Sequence, residues 1–202
     1  LKRPKGPDFE KAALGLARLI GDQDCRLAGA LAVAAYGFVR ATTGVDLVAR
    51  LPLAEVARRL RQGRVEARLG RGDITQGDFP CLRGVLDGVP FDVIPPLVAI
   101  DWEEGRVVLE GAAVKLRVVP LDALLAFKMK AQGPKDLMDA AMLVLLHPHM
   151  RPTALELAKA YRTEDLLRTW LEDARLVREA GAIQAAEARV SKPPAERRRR
   201  RV

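Results

Sequence analysis

One stretch narrows the choice of folds more than any other: Leu27 to Leu47, LAGALAVAAYGFVRATTGVDL. Cys25–Ala28 reads as a short apolar strand, and Gly29 opens a helix that runs to Tyr36. Val45–Arg50 then alternates Val45, Leu47 and Ala49 with Asp46, Val48 and Arg50, as a strand does. A helix that follows a strand so directly aims its first backbone N–H groups over the strand end, which suits a phosphate. A second strand opening on Asp46 brings a carboxylate to the same place.

The rest of the chain fits around this unit. Asp8–Gly21 carries Phe9, Ala12, Ala13, Leu16, Leu19 and Ile20 at helical spacing, with Asp8 placed as an N-cap. Leu53–Arg61 is a helix. Val65–Leu69, Leu82–Leu86 and Val89–Ile94 read as strands, the last two joined by a tight Asp87-Gly88 turn. Arg106–Glu110 and Val114–Val119 form a further hairpin. Beyond Pro120 the pattern turns helical: Leu121–Gln132, Lys135–His147 after a Gly133-Pro134 break, Thr153–Ala160, and one long helix over Thr163–Arg189. The expected fold is α/β (α+β), a mixed sheet flanked by helices with a C-terminal helical extension. The expected divisions are a basic tail at 1–7, the main domain at 8–150, the extension at 151–190 and a disordered basic tail at 191–202.

Charge is distributed unevenly. The formal net charge of +8 comes from Lys2, Arg3 and Lys5 at one end and from Lys192 and Arg197–Arg201, offset by Glu196, at the other. Residues 8–190 are therefore formally neutral. Any long-range attraction to RNA resides in the tails and should weaken with salt. No run approaches the roughly 20 apolar residues that cross a bilayer, and LKRPKGPDFEK lacks a signal peptide's apolar centre, so a cytoplasmic protein without membrane contact is expected. Cys25 and Cys81 lack the neighbours of a zinc site. His147 and His149 likewise read as helix-end or solvent-exposed residues. Trp102, Trp170, Tyr36 and Tyr161 are too dispersed for a base-stacking platform and read as packing residues.

The opening stretch resembles the active-site signature of the DNA polymerase β-like nucleotidyltransferases: a Gly-Gly or Gly-Ser pair, Arg-x-Thr, then Asp-x-Asp. The matching residues are Gly29 and Ala30, Arg40 and Thr42, then Gly44 and Asp46. The resemblance implies that Asp46, with Asp92 of VPFDVIPP as the further acid, holds magnesium or manganese against a nucleoside triphosphate. Gly44 departs from the pattern, since it replaces the first acid and removes one bridging ligand. Glu66 and Asp73 are the carboxylates available to replace it.

A second block, VPLDALLAFKMKAQGPKDLMDAAMLV, resembles the C-terminal motif of minimal and AbiEii-like toxin nucleotidyltransferases through Lys128, Lys135, Asp136 and Asp139. Its physics is informative alone. Leu121, Leu124, Leu125 and Lys128 share one helix face, so Lys128 must either snorkel or meet an anion. Asp139 sits in a helix apolar on nearly every side and needs a partner, with Lys128 or Arg40 available. Such a pair either fastens the helices to the sheet or sets Lys128 on a triphosphate with Asp136 or Asp139 positioning it. Asp136 also suits the first turn of its helix.

Two functions follow. The first is a divergent nucleotidyltransferase that passes a nucleoside monophosphate to RNA, protein or a small molecule, toxin-like and paired with a cognate antitoxin. The second is a pseudoenzyme that uses the same fold to bind nucleotide, RNA or a partner.

Overall fold

The structure, a computed structural model, describes residues 8–70 and 79–190. Both basic tails and Asp73 lie outside the described residues. Helix α1 (Phe9–Ile20) starts where Asp8 accepts the Lys11 backbone N–H at 3.0 Å. Five strands follow: β1 (Cys25–Leu27), β2 (Val45–Ala49), β3 (Ala67–Gly70), β4 (Cys81–Leu86) and β5 (Val89–Ile94). They form one sheet in the order β1-β2-β5-β4-β3, in which β2 and β5 run parallel and the other pairs antiparallel. Helix α2 (Gly29–Ala35) links β1 to β2, and α3 (Leu53–Gln62) follows β2.

The two-residue period of the strands separates two cores. Val45, Leu47 and Ala49 of β2 and Phe91 and Val93 of β5 pack with Leu16, Ile20, Val56 and Leu60 of α1 and α3. Val48 and Ile94 instead join the core that holds α2 and the C-terminal helices. Asp46 and Asp92, two residues before Val48 and Ile94, share that second face. A hairpin of β6 (Val107–Gly111) and β7 (Val114–Arg117) lies beside β1, where Leu27 bridges Val118. Arg26 stitches this edge: its Nη1 donates to the carbonyls of Asp22, Gln23 and Cys25, its Nη2 to that of Trp102, and its guanidinium lies over the Trp102 ring.

Five helices complete the chain: α4 (Leu121–Ala131), α5 (Pro134–Leu146), α6 (Arg151–Ala160), α7 (Glu164–Leu171) and α8 (Ala174–Val190). Ala154, Ala158, Leu167, Leu171, Leu176 and Ala180 share one core with Leu124, Met129 and Leu143 of α4 and α5. The single helix expected over Thr163–Arg189 is two. Asp173 breaks it, because its carboxylate accepts the N–H groups of Arg175 at 2.8 Å and Leu176 at 3.3 Å and so starts α8. Cys25 and Cys81 are buried and form no disulfide. Among the described residues no helix is long and apolar enough to cross a membrane.

Candidate functional site

Parallel pairing of β2 with β5 sets Asp46 directly beside Asp92. The β4–β5 hairpin extends the row. Its two central residues, Asp87 and Gly88, both have positive φ, as a two-residue turn of the favoured kind requires. That turn fixes the register so that Arg83 opposes Asp92, with Arg83 Nε 3.6 Å from Asp92 Oδ1. Since Leu86 and Val89 flank the turn, this partner was readable from the sequence by counting outward.

Asp46 is gripped by the start of α2. The Ala30 N–H donates to its carboxylate, and Gly29 is left-handed (φ +57°) with a Cβ that would fall 1.8 Å from Asp46 Oδ2. Only glycine fits there. The donors expected to stand free for a phosphate are thus partly committed to Asp46, a correction to the sequence expectation. Burial and then the neighbouring Asp92 raise the pKa of Asp46, while Lys128, the Ala30 N–H and Arg40 act in the opposite sense.

Behind this row lies a buried network. Asp139 is fully buried and accepts Arg40 Nε and Nη2, each at 2.6 Å, in a two-pronged pair. Lys128 Nζ lies 2.8 Å from Asp139 and donates to Asp136 at 2.7 Å. Burial alone would lower the Lys128 pKa, but the two carboxylates outweigh it and the net direction is upward. Both partners foreseen for Asp139 are therefore used. Arg40 is held charged by its bonds to Asp139. Thr42 plays a local part, its hydroxyl donating to the Gly44 carbonyl at 3.0 Å and turning the chain into β2.

Gly29, Asp46, Asp92, Lys128 and Asp136 line one cavity of about 310 Å³ between the sheet and α4. Arg40 and Asp139 are not among its lining residues; Asp139 holds Lys128, which is. Lys135 is exposed in the first turn of α5 and is absent from the lining. Among the described residues the lining also includes the apolar Phe79, Ile94, Leu97, Leu124, Phe127 and Ala131. No motif pointed to these residues; they are dispersed through the sequence and gathered by topology. Helices α6, α7 and α8 contribute nothing to its lining among the described residues.

Among the described residues the donor set lacks the ligands of a cage for two metals: no group of three or more His, Cys, Asp or Glu side chains among them could hold an ion. Gly44 stands where the first acid would be, and a Cβ on it would lie 2.8 Å from the Pro90 carbonyl oxygen. Glu66 precedes β3, three strands from β2 and so roughly 14 Å away at the usual strand spacing. It cannot replace the missing ligand. Two carboxylates are a number that magnesium commonly uses, with phosphate oxygens and water supplying the rest.

No protein-family model matches the chain, and no curated protein sequence matches it. Solved structures do. The crystal structure of ANT(2")-Ia in complex with adenylyl-2"-tobramycin superposes with a TM-score of 0.50 at 12% identity, over 76% of this chain and 94% of that one. The solution structure of the antibiotic-resistance factor ANT(2'')-Ia gives 0.50 and 12%, over 78% and 95%. What this chain shares with these nucleotidyltransferases is the fold, a mixed sheet flanked by helices.

Proposed function

We propose that the cavity binds a nucleoside triphosphate with one divalent cation, magnesium or manganese, and that the protein transfers a nucleoside monophosphate to an RNA, protein or small-molecule acceptor. The observation that carries this reading is the register pair Asp46 and Asp92, with Lys128 on the same cavity. A bound cation would neutralise charge on the transferring phosphate and align the attacking oxygen, and Asp46 and Asp92 would hold it. Lys128 is kept charged and in place by Asp136 and Asp139, so it sets a fixed positive charge beside the phosphates. Arg40 positions Asp139 and acts through it. The Ala30 N–H orients Asp46 toward Asp92.

The test is transfer of label from α-labelled nucleoside triphosphates, with magnesium or manganese, into RNA, the protein itself and a panel of aminoglycosides. Label incorporated by the native chain and lost in Asp46→Ala and Asp92→Ala supports the reading. Absence of both transfer and triphosphate binding overturns it. The toxin-like role with a cognate antitoxin belongs to the same proposal, in which expression arrests growth and Asp46→Ala relieves the arrest. Contact with RNA through residues 1–7 and 191–202 predicts retention that salt abolishes.

One observation favours the second reading, a nucleotide-, RNA- or partner-binding module without transfer. Gly44 leaves the first acid's place empty of side chain, with the Pro90 carbonyl against it. Triphosphate binding without transfer to any acceptor is its signature.

A further inference from the structure

The sheet register carries a charge order that continues past the acid pair. Asp46 of β2 faces Asp92 of β5, Asp92 faces Arg83 of β4, and Arg83 faces Arg68 of β3. Cross-strand partners project from one face of a sheet. The alternate residues agree, since Ala67 and Leu82 pack on the opposite side, in the core with α1 and α3. The row therefore reads acid, acid, arginine, arginine, one residue per strand at the usual spacing of roughly 4.8 Å. Resting on the nucleotidyltransferase reading above, we infer that Arg83 and Arg68 seat backbone phosphates of the acceptor, and that the acceptor is an RNA strand lying across β4 and β3 toward the acid pair.

Two arginines set opposite each other favour an anion between them. Like charges directly opposed across a strand pair destabilise a sheet. Arg83 leans toward Asp92 at 3.6 Å, whereas among the described residues Arg68 forms no ion pair. A phosphate shared by the two guanidinium groups turns that repulsion into two charge-assisted contacts. The face is also open. Val85 and Pro90, the next pair along it, are exposed, Val85 by 58%, and no described residue of β3 or β4 joins the core beneath α4 and α5. Arg68 and Arg83 are not among the residues lining the cavity proposed for the triphosphate, so a strand on this platform and a triphosphate in that cavity meet at Asp92.

The rest of the charge pattern selects a polyanion. Residues 8–190 are formally neutral and the net charge of +8 resides in residues 1–7 and 191–202, so the row is a local concentration of positive charge on a neutral body, and the tails act in the same sense. A strand of nucleic acid offers successive phosphates to successive arginines, and its attraction to both grows with each contact. A polycationic acceptor such as an aminoglycoside would meet two like charges beside the acid pair.

Fluorescence anisotropy of a labelled single-stranded RNA with a free 3′ hydroxyl, titrated with the full chain over a range of salt, tests this beside calorimetry of ATP with magnesium. Each phosphate contact contributes about 0.7 to the slope of log affinity against log salt for a single strand. Arg68→Ala should flatten that slope by about 0.7, and Arg68→Ala combined with Arg83→Ala by about 1.4, alike for RNAs of different sequence. The tails are present in every variant and cancel. Arg68→Lys keeps the charge and should keep the slope, which separates a lost contact from a disturbed edge strand. Arg68 is exposed and two strands from Asp92, so Arg68→Ala should leave ATP affinity unchanged while reducing label passed from ATP into the RNA. An unchanged slope in both alanine variants overturns the inference, as does label passed to an aminoglycoside in preference to RNA. Competition by AMP as strong as by the unlabelled RNA overturns the assignment to a polymer. If ATP does not bind the native chain and Arg68→Ala still flattens the slope, the nucleotidyltransferase reading fails and the RNA surface stands.

Discussion

Truncation of Asp139 is the sharpest probe of the buried network. Asp139→Ala removes a carboxylate with no exposure that accepts two bonds at 2.6 Å from Arg40 and lies 2.8 Å from Lys128 Nζ. Breaking a buried ion pair from one side costs about 3–5 kcal/mol, because a charge is left without its partner. Two features place this case toward the lower figure. Lys128 keeps Asp136 at 2.7 Å, and the Arg40 side chain is 14% exposed and can recruit water. The expected loss is about 3 kcal/mol, or roughly 6–12 °C in Tm for a chain of this size. Arg40→Leu combined with Asp139→Leu removes one charge of each sign and leaves Lys128 balanced by Asp136. That double variant should unfold within about 1.5 kcal/mol of the native chain, since volume-filling apolar replacement of a buried pair is often neutral. Urea unfolding with an unchanged slope measures Asp139→Ala, and the native chain, Arg40→Leu, Asp139→Leu and their double variant as the four corners of the cycle. Additive losses in the double variant, or a loss below about 1 kcal/mol for Asp139→Ala, would refute the reasoning.

Gly29→Ala should destabilise by at least about 2 kcal/mol, combining a left-handed alanine with displacement of Asp46, and should weaken triphosphate binding in the same calorimetric assay. Gly44→Asp is expected to lower Tm without creating transfer activity, because its Cβ meets the Pro90 backbone 2.8 Å away; a gain of transfer in the label assay would contradict that geometry. The raised pKa of Asp46 means that the folded chain holds its proton to higher pH than the ordinary value of 3.8 allows, so this group's contribution falls as pH rises from that value through the folded pKa. Asp46→Asn should therefore gain stability relative to the native chain between acid and neutral pH, and thermal melts across that range check the sign. Asp173→Ala should speed amide exchange in the first turn of α8 and leave α7 protected, read by hydrogen-exchange mass spectrometry.

What the sequence disclosed and what it hid divide along physical lines. Local patterns spoke clearly: the apolar spacing of α1, the Asp8 cap, the Asp87-Gly88 turn and the alternation of β2 all concern neighbours in the chain. Asp139 announced itself because a carboxylate in an apolar helix needs a partner, and Lys128 because it shares a face with Leu124 and Leu125. The α7–α8 break was missed since apolar periodicity runs through Glu172-Asp173, and only the capping chemistry of Asp173 interrupts it. The grip of Gly29 and Ala30 on Asp46 was missed for another reason. It depends on where β2 lies relative to α2, and pairing between β1 and β2 sets that position. Phe79 and Phe127 carried no motif at all.

Gly44 changes what the pair Asp46 and Asp92 can be asked to do. In a cage with three acids, each bridging carboxylate is shared and its negative charge is offset by two cations. Here two carboxylates lie side by side, and burial together with mutual repulsion raises the pKa of Asp46. Arg83 beside Asp92, and Lys128 and the Ala30 N–H acting on Asp46, reduce that repulsion from opposite ends of the row. Such a pair favours binding one cation over none, since the ion relieves repulsion that the fold otherwise bears. Among the described residues nothing beside it offers a second ion a ligand of its own. Metal dependence should therefore saturate as a single site. Calorimetric titration of magnesium into the chain with a non-hydrolysable triphosphate should give one equivalent, and Asp92→Asn should weaken it without changing that stoichiometry. Two equivalents would mean that a donor outside the described residues completes a larger cage, and the single-ion account would have to be abandoned.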